Sequence, residues 1–215
     1  MLVSLQDIPK TPGKFLSFPK KLQDFLGFLP SHGQWSISLY GEPGCGKSSF
    51  AFKLADVLTS HGKVLYTTSE EDPKAGAMGL RAATMKVMGG SKIDILETNN
   101  PTVMWDQLST KAYRFCIIDS INEFLDENEN VIPAKTITQK RKNFPYVNFV
   151  FISQTRSDGK QAGGKNAAFR ADLVIFCSHE TKDKNSACIA KLEKYRYGST
   201  SYQYMIHPAK KGNFS

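Results

Sequence analysis

One segment of the chain matches the pattern G-x-x-x-x-G-K-[ST] at every fixed position: Gly41-Glu42-Pro43-Gly44-Cys45-Gly46-Lys47-Ser48. Glycines allow such a loop to bend so that successive backbone N–H groups point at phosphate oxygens. Lys47 is expected to reach the β- and γ-phosphates, and Ser48 is expected to hold Mg²⁺. The pattern therefore predicts a nucleoside triphosphate site made by these eight residues and the adjacent Ser49.

The flanking residues predict the elements that must hold this loop. Residues 35–40 form a short apolar and β-branched run that is typical of a strand. Residues 47–61 place Phe50, Leu54, Val57 and Leu58 on one face of a helix. The N-terminus of that helix would present unpaired N–H groups and its positive dipole end to the anion.

The length of 215 residues suits one α/β domain with a full core. Three early prolines predict an extended lead-in over residues 1–20, followed by the folded domain at 21–208 and a tail at 209–215. No stretch approaches the ~20 apolar residues of a membrane helix, and the start lacks a signal peptide's pattern, so we expect a cytoplasmic protein, or a nuclear one in a eukaryote. The four cysteines form no C-x-x-C pair and are interpreted as reduced packing residues. The four histidines lack metal-ligand spacing, so zinc is not expected.

Four near-continuous apolar runs follow the loop, at residues 64–66, 114–118, 148–152 and 173–177. Runs of this kind are typical of parallel strands that are buried on both faces. Two later runs, at 187–192 and 201–206, are separated by a turn and predict an antiparallel hairpin. An amphipathic helix is expected around residues 21–29. The predicted fold is α/β, with a central, mostly parallel sheet flanked by helices and a C-terminal antiparallel hairpin.

Polar residues stand where three of these strands end, and strand ends face the ligand crevice in open α/β sheets. Glu70 is our candidate for the base that polarises the attacking water, ahead of Glu71, although an acidic cluster can also simply favour a helix N-terminus. Asp119 ends an apolar strand, as a Walker B carboxylate does, and is the expected metal-side acid beside Ser48. Gln154 is expected to sense the γ-phosphate and to pass its presence to the following loop.

That following loop, residues 156–170, carries four cations against the single acid Asp158: Arg156, Lys160, Lys165 and Arg170. Three glycines also lie in it, and the whole chain has a net charge of +8. Cationic loops beside a nucleotide site suit a phosphate backbone, which they contact without reading sequence. The four cations are therefore predicted to bind nucleic acid. A solvated loop without a partner is the alternative.

Together these motifs resemble the RecA-like ATPase core of the RadA family, which is related to DnaB-type helicases. The resemblance is collinear from about Leu22 to Met205. Its marks are an acid pair after a strand (Ser69-Glu70-Glu71), a Leu-Arg-Ala segment (Leu80-Arg81-Ala82), a strand ending in Asp-Ser (Asp119-Ser120), and the loop pattern Asp158-Gly159, Gly163-Gly164-Lys165 and Asp172-Leu173-Val174. The resemblance adds Arg81 to the expected nucleotide-binding residues. The sequence does not include the four-cysteine zinc finger or the Lon-protease-like domain of that family.

The most discriminating match is to the family's Lys-Asn-Arg-Phe-Gly signature, which is approximated by Lys194-Tyr195-Arg196-Tyr197-Gly198. The resemblance implies that Lys194 and Arg196 reach the γ-phosphate of the adjacent subunit, as an arginine finger does. The alternative interpretation is that these are simply two exposed cations on a hairpin. The tyrosines around this hairpin suit either stacking on bases or on a neighbouring subunit, or packing on one sheet face.

The expected function is that of an ATP hydrolase that uses ATP and Mg²⁺, assembles head to tail in a ring or filament, and engages single-stranded DNA, as a motor or a recombination and repair ATPase. Hydrolysis is expected to need the assembly. Two alternatives stay open: a KaiC-like regulatory ATPase that acts on a protein partner, and a packaging or RNA-translocating motor with the same core.

Overall fold

The computed structural model describes residues 4, 13–31, 34–69, 71–74, 76–155 and 170–209. Its centre is one eight-stranded sheet. In chain order the strands are β1 Ser36–Gly41, β2 Val64–Thr68, β3 Ile93–Glu97, β4 Phe115–Asp119, β5 Asn148–Gln154, β6 Leu173–His179, β7 Cys188–Tyr195 and β8 Gln203–His207. Across the sheet they lie in the order β3-β2-β4-β5-β1-β6-β7-β8. The first six in this order are parallel, and β7 and β8 are antiparallel.

Helices cover both faces of the sheet. They are α1 Lys20–Leu26, α2 Lys47–Leu58, α3 Ala77–Thr84, α4 Pro101–Ser109 and α5 Ala134–Lys140. One core cluster contains buried side chains of α1, α2 and β1, and a second contains those of α4, α5 and β4. The central strands are buried on both faces, which is why their sequences are almost continuously apolar.

The fold class predicted from the sequence is confirmed, including the C-terminal antiparallel pair. Predicted and observed bounds differ by a few residues, because element ends are set by local caps and not by the apolar pattern. The helix α2, for example, ends at Leu58 and not at residue 61. The domain limits stay predictions, but Leu16 in the expected lead-in is buried, and its N–H donates to the Leu29 carbonyl at 2.8 Å.

Within the described part of the chain, none of the helices has the length and apolar character needed to span a bilayer. The same residues contain no group of three or more histidine, cysteine, aspartate or glutamate side chains placed to hold a metal ion. All four cysteines are free and buried.

Candidate functional site

The loop between β1 and α2 has the geometry of a phosphate cradle. Gly44 and Gly46 have φ angles of 77° and 86°, in the left-handed region that favours glycine. Gly46 caps α2 without any side-chain hydrogen bond to the helix N-terminus, and Cys45 is buried beneath the loop. The first N–H groups of α2 are therefore not capped by a side chain, which is the arrangement that suits an anion.

Lys47, the first residue of α2, folds back over this loop. Its Nζ donates to the carbonyl oxygens of Gly41 at 2.9 Å and Glu42 at 2.8 Å. These contacts hold an ammonium group over the cradle, where it can bind phosphate oxygens. The position agrees with the role predicted for Lys47.

Asp119 lies at the carboxyl end of β4, which is separated from β1 and its phosphate loop by β5 alone. Tyr66 on β2 donates its hydroxyl to Asp119 Oδ2 at 2.6 Å. Burial raises the pKa of the Asp119 carboxyl, while hydrogen bonds from Tyr66 and Ser48 oppose that rise. The hydroxyl of Ser48 and a buried carboxylate thus meet in a pair of oxygen donors of the kind that Mg²⁺ accepts, so the donor set fits the predicted metal.

The acid pair after β2 divides between described and undescribed residues. Glu70 lies outside the described residues. Glu71 binds both Nη atoms of Arg81, at 2.6 and 2.5 Å, and this hydrogen bonding raises the pKa of the arginine. The Arg81 guanidinium also lies 5.7 Å from the centre of the Phe52 ring. Glu71 is thus already engaged by a cation, and Arg81 holds this segment against α2 and α3.

Gln154 is the last residue of β5 and lies, like the phosphate loop, at the carboxyl end of the parallel strands. It is the register partner of Gly41, where the phosphate loop begins. The next residue, Thr155, donates its N–H to the Gly41 carbonyl at 3.3 Å. Gln154 therefore stands beside the loop, as its proposed sensing role requires. Of the four loop cations, Arg156, Lys160 and Lys165 lie outside the described residues, and the carbonyl of Arg170 accepts a hydrogen bond from Arg141 at 3.3 Å.

A cavity of about 370 Å³ adjoins the phosphate loop between Glu42 and the start of the β6–β7 connection, with His179, Lys182 and Lys184 in its wall. A Cβ placed on Gly46 would lie 3.3 Å from the ring of His207, so this second histidine packs against the loop itself. Burial lowers the pKa of His207 and favours its neutral ring. In the sequence all four histidines lack metal-ligand spacing, and no other signal distinguishes these two.

Lys194 and Arg196 lie toward the amino ends of the parallel strands, at the opposite end of the sheet from the phosphate loop. Along β6, Cys177 is level with Gly41 and Val174 is level with Lys194, whereas the Arg196 N–H donates to the Asp172 carbonyl. Val174 and Asp172 precede Cys177 by three and five residues, which corresponds to about 10 and 16 Å along a strand. β7 thus carries both cations away from the phosphate loop of their own chain.

Side-chain contacts fix both cations to the residues that precede β6. Lys194 Nζ donates to the Ala171 carbonyl at 2.7 Å, and burial lowers the pKa of this lysine. Arg196 Nε lies 3.5 Å from Asp172 Oδ1, while 54% of the arginine side chain stays exposed. Arg196 is therefore anchored at its base and open to solvent.

The Tyr195 ring packs closely against two glycines, Gly27 and the signature glycine Gly198, where a side chain would collide with it. A Cβ on Gly198 would lie 2.5 Å from the Tyr195 ring, and one on Gly27 would lie 2.0 Å from its hydroxyl oxygen. Of the other tyrosines, one shows the expected packing role and one is open to solvent. Tyr204 packs on Phe25 and Phe50 in the core, and Tyr202 is exposed.

The comparisons with known proteins agree with this geometry. The described fold resembles a solved ATPase domain, with a TM-score of 0.58, 15% identity, and 79% of this chain and 80% of that chain covered. No family model matches the sequence. The fold is that of a RecA-like ATPase core, a mostly parallel sheet with the phosphate loop after its first strand.

The sequence is similar to curated relatives named "DNA repair protein RadA". Identity is 26% over 175 residues for the protein of Aquifex aeolicus, which covers 76% of this chain and 38% of the relative. It is 28% over 200 residues for that of Campylobacter jejuni, with coverages of 83% and 41%. It is 24% over 173 residues for that of Streptococcus pyogenes, with coverages of 77% and 37%. This chain has a RadA-related core and spans about two fifths of the length of these relatives.

Proposed function

We propose that this chain is an Mg²⁺-dependent ATPase whose active sites are completed between subunits of a head-to-tail assembly, and that the assembly acts on single-stranded DNA. The observation that carries the proposal is the separation, within one chain, of the phosphate cradle from Lys194 and Arg196. Cations that stand about 10 to 16 Å along the sheet from their own cradle can reach the nucleotide of a neighbour placed head to tail.

Within one subunit, the loop N–H groups and Lys47 bind the triphosphate. The adenine ring of the nucleotide occupies the cavity beside Glu42 and His179. Ser48 and Asp119 hold Mg²⁺, which when bound neutralises phosphate charge. Tyr66 keeps the carboxylate of Asp119 in place through its hydroxyl.

Glu70 is the proposed base for the attacking water. The bidentate pair between Glu71 and Arg81 supports this choice, because both oxygens of the Glu71 carboxylate are already occupied by the guanidinium. Gln154, beside Gly41, is proposed to sense the γ-phosphate.

Between subunits, Lys194 and Arg196 are proposed to reach the γ-phosphate of the adjacent chain and to neutralise the charge that develops during transfer. The exposed fraction of Arg196 supports this role. A head-to-tail contact is heterologous, and it generates either a ring or a helical filament.

DNA is the proposed partner because the net charge is +8, because residues 156–170 carry four cations, and because the relatives are named DNA repair proteins. Phosphate contacts by lysine and arginine are independent of sequence and weaken as salt rises.

Steady-state ATP turnover with and without single-stranded DNA, across a salt series, tests this function, with Lys47→Ala as the blank. We expect stimulation that fades as salt rises. Replacing Arg156, Lys160, Lys165 and Arg170 by alanine should abolish the stimulation and leave basal turnover largely intact.

A matched control removes the same charge elsewhere, through alanine at four exposed lysines: Lys20, Lys21, Lys111 and Lys135. That control should retain the stimulation. Equal stimulation of the loop variant would remove the loop from the mechanism, and turnover that ignores DNA at low salt would favour an ATPase directed at a protein partner.

A further inference from the structure

Among the described residues, Asp172 is a buried acid that lies away from the phosphate loop and has several polar partners. The residue is 7% exposed and stands immediately before β6. Its Oδ2 accepts hydrogen bonds from the N–H of Ser36 at 2.8 Å and from the Ser36 hydroxyl at 3.2 Å. Two arginines face it, with Arg196 Nε 3.5 Å from Oδ1 and Arg141 Nη1 3.9 Å from Oδ2.

These contacts give the two oxygens of the carboxylate different roles. Ser36, at the start of β1, fixes one oxygen to the sheet, and the other oxygen is the one that faces Arg196. Because the ion pair is made through Nε, at the base of the guanidinium, it can persist while the outer end of the arginine contacts another group. A buried carboxylate fixed in this way restricts a long side chain that would otherwise sample many rotamers.

The same segment also holds the second cation of the signature. Lys194 donates to the carbonyl of Ala171, directly before Asp172, and the Arg196 N–H donates to the carbonyl of Asp172 itself. The backbone and side chain of two consecutive residues thus fix both cations relative to the sheet.

We infer that Asp172 is a positioning residue for catalysis in the neighbouring subunit: it aims Arg196 at that subunit's nucleotide, and the adjacent Ala171 carbonyl does the same for Lys194. This inference depends on the proposed shared site. Asp172 itself touches neither nucleotide. Its removal should therefore damage the active site of the next subunit and leave the site of its own chain intact.

The test uses Asp172→Asn, which keeps the shape and an acceptor oxygen but removes the charge. Alone, this variant should bind nucleotide as the parent does, and its turnover should fall by about 10- to 100-fold, the scale of a misplaced catalytic group. Asp94→Asn is the matched control. Asp94 also accepts from a cation and a tyrosine, Lys63 and Tyr113, both at 2.6 Å, but it lies on the distant edge strand β3. Its replacement should leave turnover unchanged.

Mixing decides in which subunit Asp172 acts. Lys47→Ala lacks a working cradle but keeps its own Arg196 correctly placed, so mixing it with Asp172→Asn should restore turnover well above the sum of the two variants alone. A purely structural defect in the cradle of Asp172→Asn would not recover, and that result would overturn the inference. The mixture of Arg196→Ala with Lys47→Ala is the reference. If the reference also fails to recover, the shared site is wrong and the role of Asp172 fails with it; if only the Asp172 mixture fails, the shared site stands.

Thermal unfolding of Asp172→Asn is measured first, because the residue is buried between two arginines. If that variant does not fold, Ser36→Ala replaces it and removes the hydroxyl that holds Oδ2. The same pattern, with a smaller loss of turnover and recovery on mixing, supports the inference. Normal turnover in a folded Asp172→Asn, or in Ser36→Ala where Asp172→Asn does not fold, would contradict it.

Discussion

The two ends of the sheet hold their charged groups in different ways. At the carboxyl end, the phosphate loop, Asp119 and Gln154 converge on one cradle within a single chain. Toward the other end, Lys194 and Arg196 are anchored by Ala171 and Asp172, and no cradle adjoins them among the described residues. The proposed shared site would account for this difference, with the nucleotide bound at the first end and the cations of the second end serving a neighbouring chain.

The anchors at the two ends also differ in chemistry. Lys47 is held by neutral carbonyls that a phosphate can replace, whereas Arg196 is held by a buried carboxylate. A weakly held ammonium can transfer its hydrogen bonds to a ligand, and a guanidinium fixed at its base keeps its direction. The contrast fits a cradle that receives the nucleotide and a cation that completes a neighbour's site.

The largest effect is expected at the cradle. Lys47→Ala should lose nucleotide affinity and turnover together, since the donor that binds the phosphates and the developing charge is removed. Lys53→Ala, on the same helix and paired with Asp56, is the matched control and should change neither quantity. Equilibrium nucleotide binding and steady-state turnover check both. Undiminished binding by Lys47→Ala would mean that the loop is not the phosphate site.

The next effect concerns the opposite end of the sheet. Arg196→Ala should keep nucleotide binding and lose turnover by about 10³-fold, the scale of an arginine supplied in trans. The same two measurements separate it from Lys47→Ala, because only binding distinguishes the two ends. Normal hydrolysis by Arg196→Ala would show that the inter-subunit assignment is wrong.

The smallest effect is on stability, and it compares two carboxylates. Burial raises the pKa of Asp119, so its ionised form destabilises the ligand-free fold as pH rises through and above its ordinary range. Asp119→Asn should therefore raise the unfolding temperature of the ligand-free protein near neutral pH, and less so in acid, while turnover is lost.

The carboxyl of Asp94 gives the opposite sign. Its hydrogen bond with Lys63 lowers its pKa, so the ionised form contributes stability above its ordinary range, which is lost as pH falls through the lowered value. Asp94→Asn should lower the unfolding temperature slightly near neutral pH. Thermal scans at several pH values check both, and a lower unfolding temperature for Asp119→Asn would contradict the assigned cost of its burial.

Strong local patterns explain which parts could be predicted from the sequence. The strands β1, β4, β5 and β6 are near-continuous apolar runs, and the glycine pattern names its own loop, so these elements and their order follow from the chain. The strand β3 gave no such signal, because at the sheet edge its residues are only half-buried and alternate with charges. The helix α3 is short, begins after Gly76 and buries only Met78.

The candidate site divides in the same way. The loop, Asp119 and Gln154 are marked by position at strand ends, and the structure brings them to one edge. Two of the partners that tune them are not marked, since Tyr66 lies inside an apolar run and His207 is one of four scattered histidines. Asp172 belongs to the family's loop pattern, but its contacts with Ser36 and Arg141 arise only because elements far apart in the sequence pack together. Contacts between residues far apart in the sequence leave no local pattern, so they emerge only from the fold.

The most direct test of the shared site is a mixture of two variants that are each inactive, Arg196→Ala and Glu70→Gln. In a head-to-tail assembly at equal proportions, a subunit with an intact cradle and base is followed by one with an intact Arg196 in about one quarter of the sites. If the sites are shared between subunits, turnover per site should recover toward that fraction. A mixture that stays as inactive as its two components, while assembling as the parent does, would contradict sites shared between subunits.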